Sequence, residues 1–201
     1  MPRESWKKRR VVLLLGIPGV GKTTLLQEAY KIAKRSGEAI TMVTYSDVML
    51  KRAQNEGLVS HRDEMRRLQA DVQLRLQKEA AEEISSMGEE KVVMVDTHAL
   101  IRLSEGAFLP GVPSWVGETL RPTQVIHIEA SPQEIVNRRS RDKSDRRRDL
   151  EATEEISLHI NLSRIAALII AAQTGAYLRI INNREGELTA TAKKLSEALL
   201  S

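Results

Sequence analysis

LLLGIPGVGKTTLL, residues 13–26, sets an apolar run against a glycine-rich turn that ends in Lys22 and two threonines. Gly16, Gly21, Lys22 and Thr23 fit the spacing G-x-x-x-x-G-K-[ST]. A strand pattern precedes the turn and a helix pattern follows it, and those flanks turn a spacing into a phosphate-binding loop. Backbone N–H groups in such a turn converge on phosphate oxygens because no β-carbon stands in the way, and the helix N-terminus adds partial positive charge. Lys22 brings a full charge to the β- and γ-phosphates, and Thr23 offers a hydroxyl to Mg²⁺, an ion that prefers hard oxygen donors. The loop predicts binding of a nucleoside triphosphate.

Four more short apolar or β-branched runs join the one at 11–15: residues 40–44, 92–95, 125–128 and 177–181. Helical patterns separate them, over 22–37 with apolar residues three and four apart, and over 61–88 as one long amphipathic helix. Near-continuous apolar strands alternating with helices predict an α/β fold, a five-stranded parallel sheet flanked by helices. Ligands of such sheets bind beyond the carboxyl ends of the strands. Residues 16–23, 45–47, 96–98 and 131–132 all fall there, so the chemistry is expected on one rim. Asp96 closes the strand KVVMVD and has the form of the carboxylate that orients a magnesium shell. The competing role is a turn or helix-capping aspartate.

The chain has 201 residues, enough for one domain with a buried core, and no linker or internal repeat divides it. It is 41% hydrophobic and 29% charged, and no apolar run approaches the roughly 18 residues that span a bilayer. A soluble, cytoplasmic protein with no membrane partner is the expectation. The basic start MPRESWKKRR leads into too short an apolar core before Gly16 for a secretory signal. The absence of cysteine excludes a disulfide framework and a thiolate metal site. A formal charge of +4 raises nucleic acid as a partner, but one Phe, two Trp and three Tyr offer few surfaces for stacking bases, so nucleic acid is not expected.

The positive charge is local. Six arginines and Lys143 crowd residues 138–148, and a second set comprises Arg52, Arg62, Arg66, Arg67 and Arg102. A solvated helix face is the plain reading of an arginine run. Beside a phosphate loop the functional reading gains weight. A group passed between two phosphates gathers negative charge on both sides, so catalysis there consists of positioning and positive charge. Arg138, Arg141, Arg146 and Arg148, read as one short segment between two helices, would close over such a site as a lid. Two basic clusters facing one phosphate loop predict two nucleotides.

At this point the sequence resembles the adenylate kinases, most closely the archaeal type. GIPGVGKTT, YSDVM, RDEMRRLQ, VDTHALIR, LPGVPSWV and INNREGE occur in the order of that family, from Val11 nearly to the end. The resemblance implies a P-loop nucleoside-monophosphate kinase fold with a short arginine-rich lid. The whole of 1–201 would be a single kinase domain, with an AMP-binding helical region at about 45–90 and a lid at about 138–149. It implies Mg-dependent conversion of ATP and AMP to two ADP, and a homotrimer. Carried over by position, ATP phosphates rest on Gly16, Ile17, Pro18, Gly19, Val20, Gly21, Lys22, Thr23 and Thr24. Lys22 acts as the transition-state cation, with Arg138, Arg141, Arg146 and Arg148 in the lid. AMP lies near Tyr45, Asp47, Arg66 and Arg102, the metal near Thr23 and Asp96, and NNREG borders adenine. Arg164 completes the phosphate contacts. The chain departs from the bacterial enzymes in carrying DTHALIR after the third strand and in a lid without cysteines.

Other readings compete at single positions. His98 fits a neutral imidazole satisfied by backbone as well as a ligand to AMP. Tyr45 fits simple packing at a strand edge. Asp47 is also where a small-molecule kinase would hold a base for a hydroxyl substrate. A nucleotide-dependent regulatory protein whose arginines read an RNA backbone is the rival from another class, and it predicts steep salt dependence. The segment 150–174 reads as a helix almost wholly apolar after Arg164, suited to a core or a subunit contact.

Overall fold

Five parallel strands form the centre of a computed structural model that describes residues 9–37, 39–87, 92–103, 106–141 and 153–200, with Arg66 described by its backbone alone. Arg146 and Arg148, most of the expected lid and the first residues of the expected 150–174 helix lie outside the described residues. The sheet strands are β1 (Arg10–Leu15), β2 (Ile40–Thr44), β3 (Val92–Asp96), β6 (Gln124–Glu129) and β7 (Tyr177–Asn182). Their order is β2-β3-β1-β6-β7, every pairing parallel. β1 sits in the middle, and its run VVLLL is buried throughout because both of its faces are covered.

Alternation along β1 sorts the core into two layers. Val12 and Leu14 pack with α1 (Lys22–Arg35) and α7 (Leu188–Leu200); Val11, Leu13 and Leu15 pack with α3 (Ala70–Ser86), α4 (Ser114–Leu120) and α6 (Thr153–Thr174). Burying Leu13, Leu14 and Leu15 removes each from water at about 2 kcal/mol per side chain, which holds the strand next to the loop it feeds. The register places Leu14 opposite Asp96, Thr44 opposite Asp96, and Leu15 opposite His127. The carboxyl ends of β2, β3, β1 and β6 therefore make one rim.

Two expectations need correction in the helical layer. The pattern over 61–88 is not one helix: a 3-10 helix at Arg62–Arg67 is followed by extended Leu68 (ψ 149°) before α3 begins. Glu64 accepts the N–H groups of Ser60 (2.6 Å) and His61 (3.2 Å), closing a short turn, and Leu68 turns in to the cluster of Ala53, Val59 and Leu76. Apolar spacing survives such a break, which is why periodicity does not reveal it. Arg138 and Arg141 do not lie between helices either; they occupy the last turn of α5 (Pro132–Arg141). A hairpin of β4 (Leu100–Arg102) and β5 (Phe108–Pro110) follows β3, and the helix α2 (Tyr45–Asn55) follows β2.

A third correction concerns α6, which is long and apolar enough to cross a bilayer by length and composition. The sequence expectation counted uninterrupted apolar runs, and His159 and Arg164 interrupt this one. Ile156, Ile160, Ser163, Ala167, Ile170 and Ala171 of the helix are buried inside the protein, so that face is a core face.

Candidate nucleotide site

The turn between β1 and α1 is shaped by what stands behind it. Gly19 (φ 93°) and Gly21 (φ 80°) adopt the left-handed conformation that side chains disfavour. A Cβ on Gly16 would stand 2.9 Å from the Ile128 carbonyl oxygen of β6, so the loop starts hard against the neighbouring strand. Arg139 donates from Nε (3.2 Å) and Nη2 (2.8 Å) to the Pro18 carbonyl, and Arg138 Nη1 donates to the Val20 carbonyl at 2.9 Å. With those carbonyls drawn outward, the N–H groups of Gly21, Lys22 and Thr23 have no partner among the described residues. They form the start of a helix with its donors unspent, the arrangement that binds anions.

Lys22 is 8% exposed. Its Nζ lies 2.7 Å from Asp96 Oδ1 at the end of β3 and donates to the Thr97 carbonyl. Burial lowers the ammonium pKa, and Asp96 opposes that shift without cancelling it. Asp96 Oδ1 is buried and has no hydrogen bond beyond this ion pair. Thr23, one residue on from Lys22, presents its hydroxyl at the exposed first turn of α1. A carboxylate oxygen with an unspent lone pair at the end of β3 and a hydroxyl at the start of α1 are both hard oxygen donors of the kind Mg²⁺ takes, its shell completed by phosphate and water. No group of three or more metal-ligating His, Cys, Asp or Glu occurs among the described residues, so no all-protein cage competes with that arrangement.

After β2, Tyr45 opens α2 with its ring buried and its hydroxyl donated to the Gln77 carbonyl. Burial pushes the phenol pKa up, keeping it a neutral donor. Exposed Asp47 pairs with Arg62, which also donates to Ser46 Oγ at 2.9 Å. Arg102 on β4 reaches Glu155 of α6 at 3.0 Å. Arg52 is held between Glu79 (3.1 Å) and Glu83 (2.8 Å), a contact that ties α2 to α3. His98 is driven well below the ordinary histidine pKa by burial, reinforced by Lys22 and His159, so it is a neutral imidazole next to the lysine.

Arg164 is turned to Glu129, donating from Nε at 2.7 Å and Nη2 at 2.6 Å, and Glu129 also meets His127 Nδ1 at 3.1 Å. Burial favours the protonated acid at Glu129, but Arg164 and His127 outweigh it and bring the pKa down to about 2. A cavity of about 430 Å³ opens beside this pair, between the start of α5, α6 and the ends of β6 and β7. Arg141 pairs with Glu185 at 2.5 Å, and Glu134 accepts the Glu185 N–H at 2.7 Å. These contacts dock the loop after β7 onto α5.

A family profile described as an AAA domain matches residues 15–157. An adenylate kinase from Methanocaldococcus jannaschii is 42% identical over 192 residues, 96% of this chain and 99% of that protein. One from Methanopyrus kandleri is 43% identical over 192 residues, 95% of this chain and 98% of that protein. The chain belongs to the adenylate kinase family. A shikimate kinase from Acinetobacter baumannii, solved with shikimate, superposes with a TM-score of 0.61 at 15% identity, covering 99% of this chain and 97% of that one. That likeness concerns the fold alone.

For an adenylate kinase, the sequence had singled out the loop, Lys22 and Asp96, and the structure brings these together. Tyr45 and Asp47 lie in the first turn of α2, Arg102 ends β4, and the backbone of Arg66 lies in the 3-10 helix after α2. The reading missed Arg139, Glu129, Glu134 and the individual role of Asn183. Arg139 was one arginine among six, and nothing in the spacing separates a loop-facing arginine from its neighbours. Asn183 had a signal in NNREG, but not one that pointed at the phosphate loop.

Proposed function

We propose that the protein catalyses reversible, Mg-dependent transfer of the γ-phosphoryl group of ATP to AMP, giving two ADP. The observation that carries this is the buried Lys22 ammonium, held by Asp96 and Thr97 at the mouth of a loop whose Gly21, Lys22 and Thr23 N–H groups have no partner among the described residues. An oxygen of the AMP phosphate attacks the γ-phosphorus in line as the bond to the β-phosphate oxygen breaks, and ADP leaves. The attacking oxygen is already anionic, so no side-chain base is required.

Within this reading the loop from Gly16 to Thr24 holds the ATP phosphates. Lys22 leaves its internal partners for the transferring group, and Arg148 supplies further charge as the remainder of the lid at 138–149 excludes water, while Arg138 and Arg141 act from the last turn of α5, the first by holding the Val20 carbonyl and the second by docking Glu185. Tyr45, Asp47, Arg66 and Arg102 form the AMP side, on the region 45–90. Thr23 and Asp96 would hold Mg²⁺, which when bound would supply positive charge to the transferring phosphates. A cytoplasmic location fits a reaction among free nucleotides.

A homotrimer is part of the proposal. Leu158, Ile165, Leu168 and Ile169 leave an apolar face of α6 exposed beside Ile180 of the edge strand β7, a surface suited to a second copy of the chain.

The test is to incubate the purified protein with MgATP and each of AMP, GMP, CMP, UMP, shikimate and simple sugars, then separate the nucleotides. Two ADP formed per AMP consumed, with little ATP lost when AMP is omitted, is the expected result. Phosphate passing to a sugar or hydroxy acid while AMP stays inert would replace the acceptor assignment.

A further inference from the structure

We infer that Asn183 is a positioning residue which, together with Arg138, sets the phosphate loop in its anion-binding form by clamping the Val20–Gly21 peptide from behind. The inference rests on the phosphate-site reading of the loop. Asn183 lies in the turn after β7, far from the loop in sequence, and is 4% exposed. Its Nδ2 donates to the Val20 carbonyl at 2.8 Å, and Arg138 Nη1 donates to the same oxygen at 2.9 Å. The two donors occupy both lone pairs of that carbonyl. Arg138 Nη2 in turn donates to the Asn183 carbonyl at 2.8 Å, and the Asn183 N–H donates to the Glu129 carbonyl at 2.7 Å. The clamp is therefore anchored to the end of β6 and to α5, the rigid parts of the rim.

A peptide is planar and trans, so its C=O and N–H point in opposite directions. Holding the Val20 oxygen outward aims the Gly21 N–H into the concave side of the turn, where it has no protein partner. Glycine at φ 80° does not enforce that orientation by itself, because its backbone tolerates both hands. Gly21 is also as close to the clamp as its lack of a side chain allows: a Cβ there would stand 2.7 Å from Asn183 Nδ2. The same asparagine thus fixes the peptide and would have to shift for any side chain at Gly21, a position whose positive φ already disfavours one. Two roles compete with this one: a contact to the adenine base, expected of NNREG by resemblance, and packing alone.

Tripolyphosphate separates the three, since it has the phosphates of ATP and no base. Calorimetric titration of wild type and Asn183→Ala with tripolyphosphate and with ATP, combined with steady-state KM and kcat for MgATP and AMP, gives the readings. Loss of one hydrogen bond to the loop is expected to weaken tripolyphosphate about tenfold, with a similar rise in the MgATP KM, while the AMP KM stays within about twofold. A folded variant that binds tripolyphosphate as wild type does would overturn the inference. A loss confined to ATP would then assign Asn183 to the base, and a lowered melting temperature with unchanged binding would assign it to packing. If Asn183→Ala does not fold, Asn183→Ser keeps a polar group in the space while drawing the donor back, and is read in the same way. Failure of the wild type to bind tripolyphosphate at all would remove the phosphate-site reading itself, and the inference with it.

Discussion

Lys22 shows how one side chain serves two states. In the protein alone its charge is held by Asp96 and Thr97 at a cost in desolvation, and in the proposed reaction it turns to the transferring phosphoryl group. Lys22→Ala is expected to lower kcat on the order of 10² or more, the effect of losing one preorganised electrostatic group, in a coupled assay of ADP formation. Near-normal turnover would remove its role. Asp47 tests the acceptor side. Because the AMP phosphate needs no base, Asp47→Asn should raise the AMP KM by several-fold through the loss of its Arg62 partner while kcat changes less. Abolished turnover with normal AMP binding would instead make Asp47 a base. The loop and Lys22 were legible because their spacing is local. The hydrogen bonds of Arg139 and Asn183 to the loop were not, because each spans more than a hundred residues of sequence.

Among the elements, α5 carries the most traffic. Its N-terminus is closed by Glu134, which accepts the Ser131 N–H at 2.8 Å and the Ser131 hydroxyl at 2.7 Å, and whose other oxygen receives the Glu185 N–H. The Glu185 N–H and then Ser131 hold the Glu134 pKa below the usual carboxylate range. Glu134→Ala is expected to cost about 1 kcal/mol in urea unfolding, the usual value of a lost helix cap. A larger increase in the MgATP KM than in the AMP KM should accompany it, since the Asn183 turn loses its seat. Unchanged unfolding and unchanged KM values would show that α5 is seated by Ile135 and its arginines alone. The strands and α1 were readable from periodicity, whereas the break at Leu68 was set by Glu64 folding back on Ser60 and His61. Local chemistry overrode an unbroken apolar pattern there.

At the scale of the whole molecule, the Glu129–Arg164–His127 cluster joins the end of β6 to α6 under the rim. Glu129 has its pKa at about 2 when folded against an ordinary 4.5, so the folded state binds fewer protons. Its contribution to stability is present above pH 4.5 and is lost as the pH falls toward 2, with an upper size of about 3 kcal/mol. Urea unfolding of wild type and Glu129→Gln should differ most at neutral pH, with the gap narrowing between pH 4.5 and 2. A gap independent of pH would assign Glu129 to packing. The exposed face of α6 makes a second prediction at this scale. Ile165→Glu should convert a trimer to monomers in sedimentation at micromolar concentration, and a wild type that sediments as a monomer would remove the trimer from the account.

The sequence by itself determined the parallel α/β sheet, the phosphate loop on its first crossover, the carboxylate at the end of β3 and, through the ordered motifs, the kinase family. These are statements about neighbours in the chain: alternation, glycine spacing and strand ends are local properties. Only the tertiary structure decided that Asn183 and Arg138 hold the Val20 carbonyl, that Arg164 is turned to Glu129, and that one face of α6 is core while the other is bare. Each of those depends on the register of β6 and β7 and on the crossing of α5 and α6, which bring distant residues within hydrogen-bond reach. No local spacing encodes such a meeting, because it is the packing of the sheet that closes the distance.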